Sequence, residues 1–222
     1  MHRRAGVTVI EMLIALAILA ILVFVALPNF TMWIQNTKIR TTAQDLLNGL
    51  QLARAEALRR NARVELALTD AEPTVANVGA LPLTSGRNWI VRVNTGGAYT
   101  AADFIQGGGV SATGATNAQI KADRDTSFGP GSSDVDTVIF GGLGQATAVF
   151  EGDVPSFQVV SIQVTNPAGG ACAAAGGSMR CLTVQATMAG QVRLCDQALA
   201  TFPANLQGCP PPPGGGGPPG KK

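Results

Sequence analysis

Histidine is almost missing from this chain: of 222 residues one is histidine, and it is the second. A Ser-His-Asp or Cys-His system would therefore have no imidazole base in the body of the chain. Zinc loses its commonest nitrogen ligand for the same reason, and the cysteines stand at irregular spacings, so no metal or other cofactor is expected. Neither Gly107-Gly108-Gly109 nor the glycine run 214–217 is followed by the Lys-Ser/Thr of a phosphate-gripping loop. The pairs Asp123/Asp125 and Asp134/Asp136 read as loop solubility rather than calcium ligands. Charge and aromatic rings are scarce, at 14% and 5%, while 27 glycines and 13 prolines favour strands and long loops over a helical bundle. A non-enzymatic protein is the expectation.

What the chain does have is an apolar run from Val7 to Leu27, 21 residues broken by a single acid, Glu11. As a helix it measures roughly 31 Å, the thickness of a bilayer's hydrocarbon core. A secretory signal would be shorter and would end in a small-residue cleavage site; Pro28-Asn29-Phe30-Thr31-Met32-Trp33 offers none, so the helix is expected to be retained. His2, Arg3 and Arg4 precede the run, which places the N-terminus in the cytoplasm and the rest of the chain outside. A carboxylate at the centre of such a helix would cost on the order of 3 kcal/mol. Glu11 sits near the cytoplasmic end, avoids part of that cost, and still needs a cation.

The stretch Gly6-Val7-Thr8-Val9-Ile10-Glu11 resembles the class III signal of type IV pilins and type II secretion pseudopilins. The shared features are a short basic leader, a glycine at the cut, an apolar first mature residue and a glutamate at the fifth mature position. The resemblance implies that a prepilin peptidase cleaves after Gly6 and methylates the amine of Val7, although phenylalanine is the usual residue there. It also implies that Pro28 stands where many pilins kink their helix in the filament. Glu11 is then expected to pair with the N-terminal amine of a neighbouring subunit and so to set axial register. Loss of Arg3 and Arg4 with the leader leaves 14 Lys/Arg against 14 Asp/Glu, a near-neutral mature chain with little nonspecific pull on nucleic acid.

Past Pro28, Ile39, Ala43, Leu46, Leu50, Ala53 and Ala57 recur at spacings of three and four, which predicts an amphipathic continuation of the helix to about residue 62, with Asn61 as a left-handed stop. Arg59, Arg60 and Arg63 are read as a solvated helix end. Period-two patterning then predicts strands at 63–68, 89–93, 137–140, 146–150, 157–165, 181–188 and 191–195. The Gly/Ala/Ser/Thr-rich region 94–134 is expected to be a long loop with short strands at 104–105 and 119–122. The organisation expected is a leader (1–6), a membrane and filament-core helix (7–27), its amphipathic continuation (28–62), an extracytoplasmic β domain (63–209) and a disordered Pro/Gly-rich tail (210–222).

Three further pieces resemble the GspH/FimT group of minor pilins and pseudopilins: residues 46–66, 138–146, and Gly190-Gln191-Val192-Arg193-Leu194-Cys195-Asp196. The resemblance implies an α+β pilin-like fold, a long N-terminal helix packed on a small antiparallel β domain. It implies as partners other minor pilins, the major pilin or pseudopilin, the prepilin peptidase and an inner-membrane assembly platform. Residence is expected in the inner membrane as a single-pass protein, then in a pilus or pseudopilus. FimT-like members are associated with DNA capture through a Gly-Arg-x-Arg motif; here Gln191 replaces the first arginine and Arg193 keeps the second. A priming subunit of a type IV pilus, a type II secretion pseudopilin and a DNA-binding minor pilin all remain open, the first favoured. The four cysteines allow three pairings; Cys172 with Cys181 and Cys195 with Cys209 are expected because each closes a short local loop.

Overall fold

The computed structural model describes residues 8–83, 85–124, 135–150, 160–199 and 204–209, and within these the side chains of 25–29, 123–124, 135–136 and 147–150 are outside the description. Gly6, Val7, the leader, the Pro28 side chain and the tail 210–222 therefore lie outside the described residues. A single helix, α1 (Val9–Arg60), runs for 52 residues and includes position 28. Its first half is rich in Leu, Ile and Ala, and its first glycine is Gly49, so propensity favours length. It stops at Asn61, whose φ of 48° and ψ of 43° are left-handed and whose N–H returns to the carbonyls of Ala57 and Leu58.

The two halves of α1 have opposite fates. Ile39, Ala43, Leu46, Leu50, Ala53 and Ala57 are fully buried. Burial of each large member of that stripe contributes about 1.5–3 kcal/mol. From Val9 to Phe24, by contrast, every large apolar side chain is at least 48% exposed. Among the described residues no helix is long and apolar enough to cross a membrane. The described side chains cover Val9–Phe24 of the apolar run, and its remainder, Val7 and 25–27, lies outside them.

The β domain wraps the second half of α1 with two five-stranded antiparallel sheets. The strands are β1 (Val64–Thr69), β2 (Ser85–Gly86), β3 (Asn88–Val93), β4 (Phe104–Gly109), β5 (Gln119–Arg124), β6 (Val135–Phe140), β7 (Ala146–Phe150), β8 (Val160–Thr165), β9 (Leu182–Ala186) and β10 (Val192–Asp196), with a single turn of helix, α2 (Val110–Thr113), between β4 and β5. One sheet has the order β4-β3-β1-β6-β7 and the other β10-β9-β8-β5-β2. Both supply apolar residues to one core around α1, including Leu66, Trp89, Phe140, Ile120, Ile162 and Val184.

In the region 94–134 strands start where short ones were expected, at 104 and 119, but each runs to six residues, as β4 and β5, while 125–134 lies outside the described residues. The glycines that made β4 read as loop are there for contact. A Cβ on Gly108 would come within 2.3 Å of the Trp89 ring, and one on Gly49 of α1 within 2.8 Å. Trp89 thus lies in a slot between helix and strand, and Asp45 closes it by accepting from the indole Nε1 at 3.0 Å and from the Gly109 N–H at 2.7 Å. Burial pushes the Asp45 carboxyl upward, and those two hydrogen bonds pull it partly back.

On the opposite face of the first sheet, Glu65 and Arg92 stand directly across β1 and β3, and both are buried. Arg92 Nε donates to Glu65 Oε1 at 2.6 Å, and its Nη1 donates to the carbonyls of Val78 and Ala80. Tyr99 Oη donates to the same carboxylate at 2.6 Å, Asn94 Nδ2 also donates to it, and the guanidinium stacks 3.7 Å above the Tyr99 ring. Burial, with Glu65 second, raises the Tyr99 hydroxyl from its ordinary 10.0 to about 12. The neutral phenol is the form favoured on folding. Its contribution is present in full below pH 10 and fades as pH rises from 10 towards 12. Tyr99 is the chain's one tyrosine. Tyrosinate absorbance is therefore expected to titrate near 12 in the folded chain and near 10 in denaturant; matching midpoints would refute the network.

Candidate functional site

Three places on the molecule bear on function: the start of α1, a cleft at its middle and the pole at its C-terminal end. At the start, Glu11 is the third residue of the helix, and Thr8 is its N-cap. Thr8 Oγ1 accepts from the Glu11 N–H at 3.4 Å, and the Glu11 carboxylate accepts from the Thr8 N–H at 3.4 Å, a reciprocal capping box. The expectation from sequence treated Glu11 only as an acid in search of a cation. The Thr8-x-x-Glu11 spacing ahead of an apolar run was the overlooked signal. In the isolated subunit the carboxylate is exposed and satisfies a helix terminus, so it is held in place before any partner arrives.

In the middle, a cleft of about 420 Å³ opens between α1 and the end of the second sheet, lined by Trp33, Asn36, Arg40, Arg180 and Asp196 among others. Arg180 donates its N–H to Asn36 Oδ1 at 2.8 Å and forms an ion pair with the largely buried Asp196 at 3.1 Å. The disulfides lie nearby: Cys172–Cys181 spans the turn before β9, and Cys195–Cys209 ties β10 to the segment that carries Gln207 into the cleft wall. These contacts fasten the β domain to the part of α1 just beyond the exposed apolar half.

At the pole, the β6–β7 turn and the β9–β10 turn meet over the last turns of α1. Gly190 has φ +74°, and a Cβ there would come within 1.8 Å of the Gly144 carbonyl oxygen and 3.1 Å of Arg54 Nε. The Ala146 N–H donates to the Met188 carbonyl at 3.0 Å, which locks the two turns together. Gly190→Ala is accordingly expected to destabilise the chain by about 2–4 kcal/mol, combining left-handed strain with a backbone clash. Arg193→Ala, at an exposed site on β10, should stay within about 0.5 kcal/mol. Denaturant midpoints of the two variants check this.

The structure thus brings together the three segments 46–66, 138–146 and 190–196 that were separate in sequence. Residues 42–190 match the family model of the type II transport protein GspH.

The chain belongs to the GspH family.

Residues 1–27 also match the prokaryotic N-terminal methylation motif, so this GspH-family chain is a type IV pilin-like protein of the minor pilin and pseudopilin class. Among solved structures it is similar to the type IV minor pilin FimU of Pseudomonas aeruginosa, at 15% identity over 75% of this chain and 94% of that one, with a TM-score of 0.48. A second crystal form of FimU gives 15% identity, 73% and 97% coverage and a TM-score of 0.46. Escherichia coli GspH gives 18% identity, 76% and 94% coverage and a TM-score of 0.37. No curated protein matches the chain.

The site residues named from sequence do not form one cluster. Glu11 and the β9–β10 turn stand at opposite ends of α1. Gln191 donates its N–H to Thr187 Oγ1 at 3.2 Å within its turn, and Arg193 pairs across the sheet with Gln185. Among the described residues no group of three or more His, Cys, Asp or Glu side chains is placed to hold a metal ion.

Proposed function

We propose that this GspH-family chain is a minor pilin of a type IV pilus, joining other minor pilins in a complex that primes assembly and remains near the tip. Its work is structural rather than catalytic. The observation that carries the reading is the contrast along α1. The helix buries its second half in its own domain and leaves Val9 to Phe24 bare. A sixteen-residue stretch carrying eleven solvent-facing Leu, Ile, Val and Phe side chains cannot be left in water, so the subunit needs a bilayer before assembly and a bundle of neighbouring helices afterwards. The methylation-motif match over residues 1–27 agrees with an inner-membrane anchor whose N-terminus is cytoplasmic and whose β domain is periplasmic. The domain limits stay as drawn from sequence, with 28–62 as the bridge between anchor and β domain.

Prepilin peptidase cleavage after Gly6 and methylation of Val7 would create the amine that Glu11 of a neighbour receives. A second machine, the type II secretion pseudopilus, is supported by the GspH match itself. Capture of DNA would rest on Arg193 alone, because Gln191 carries no charge. The deciding experiment deletes the gene, complements it, and counts surface pili by electron microscopy alongside assays of type II secretion and transformation. Lost pili restored by the wild-type copy support the pilus reading. Normal pili with failed secretion or DNA uptake replace it with one of the other two.

A further inference from the structure

We propose that the pole of the domain at the C-terminal end of α1 is a docking surface for the acidic-rimmed, apolar-centred face of another protein. The inference rests on the reading that the chain works inside an assembly, and adds a second contact surface at the end opposite Glu11. Its centre is three exposed apolar side chains from three elements: Leu58 of α1 at 48% exposure, Leu143 of the β6–β7 turn at 86% and Met188 of the β9–β10 turn at 46%. Tight turns ordinarily show polar or small residues to water. Here both turns place a large apolar side chain among glycines and small residues.

The patch is also rigid. The Gly144 N–H donates to the Gly141 carbonyl at 2.8 Å, and the Gly190 N–H donates to the Thr187 carbonyl at 2.8 Å. The Gly190–Gly144 approach and the Ala146–Met188 hydrogen bond then fix one turn against the other. A Cβ on Gly144 would meet Leu58 at 3.2 Å, which seats both turns on the helix. A surface already held in shape loses little entropy on binding.

Charge identifies the occupant. Arg54 adjoins the patch from α1, and the exposed Arg59, Arg60 and Arg63 stand in the last turn of the helix and just beyond its cap, so this end carries net positive charge; Glu56 is the acid beside them, its carboxyl held down to about 2 by hydrogen bonds from Arg59 and Arg60. Arg54 adjoins both turns, and its Nε is buried without a hydrogen-bond partner among the described residues. An apolar centre with a cationic flank is built for a protein partner with carboxylates around an apolar core. A second copy of this chain would bring arginine against arginine. A nucleic-acid backbone would use the flank and leave the apolar centre without a counterpart.

The test uses the full chain in cells that assemble filaments, with a benzophenone amino acid at position 143 and irradiation before lysis. The expected result is a nuclease-resistant adduct to a different protein, whose crosslinked peptide carries net negative charge. Its yield should fall about tenfold, the equivalent of 1.4 kcal/mol, in Met188→Glu and in Arg54→Gln. Membrane levels of each variant, measured in parallel, separate docking from folding. A nuclease-sensitive adduct, a homodimer, or a yield unchanged by both substitutions overturns the docking surface. So does absence of any adduct in a strain whose piliation depends on the chain. The proposed function fails separately, through normal piliation when the gene is deleted.

Discussion

Arg92→Ala is expected to cost the folded chain about 3–5 kcal/mol, because it leaves the Glu65 carboxylate charged, buried and without its guanidinium. Both partners are almost completely enclosed, at 3% and 2% exposure, so water cannot replace the missing hydrogen bonds. The loss spreads further than one ion pair. Arg92 is also the donor to the Val78 and Ala80 carbonyls and the platform under Tyr99. Two connections, one on each side of β3, hang on it. Urea denaturation of the full chain in detergent measures the effect. A paired replacement, Glu65→Leu with Arg92→Met, should recover most of the loss, since it removes both charges and keeps the volume. A single Arg92→Ala variant within about 1 kcal/mol of wild type would mean that the pair is solvated, contrary to its burial.

That pair marks a boundary in what the sequence displays. The stripe Ile39 to Ala57 is legible because a helix repeats its buried face every three or four residues, and Asn61 is legible because few residues accept a left-handed φ. Strands such as β1 and β3 declare themselves by their period-two patterning, in which Glu65 and Arg92 read as solvent-facing positions. What buries them is the chain from 71 to 83 and the Tyr99 loop, neither of which has a period to read. Likewise β4 shows only its start, 104–105, because its three glycines carry no pattern; each answers a different neighbour, Gly107 the Pro73 residue, Gly108 the Trp89 ring and Gly109 the backbone of Arg87 and Asn88. The same holds for the functional regions. Glu11 is conspicuous as a lone acid in an apolar run, whereas the pole depends on three turns and ends meeting in space, each unremarkable in its own segment.

Glu11 supplies the largest expected effect on assembly. Glu11→Ala removes both a cap and a charge, so by itself it cannot say which one matters. Glu11→Gln separates them. The amide oxygen can still accept from the Thr8 N–H, and the loss of helix-start stability should be only a few tenths of a kcal/mol in the isolated subunit. In a filament core the difference is far larger. An amine buried without its carboxylate costs about 3–5 kcal/mol, which corresponds to a drop of more than about a hundredfold in incorporation. Both variants are therefore expected at wild-type level in the membrane and nearly absent from sheared filaments. Glu11→Asp keeps the charge on a shorter arm and should fall between them and wild type. If Glu11→Gln enters filaments as readily as wild type, the carboxylate's role is the reciprocal cap with Thr8, and register must be set by the shape of the bare helix face from Val9 to Phe24 instead.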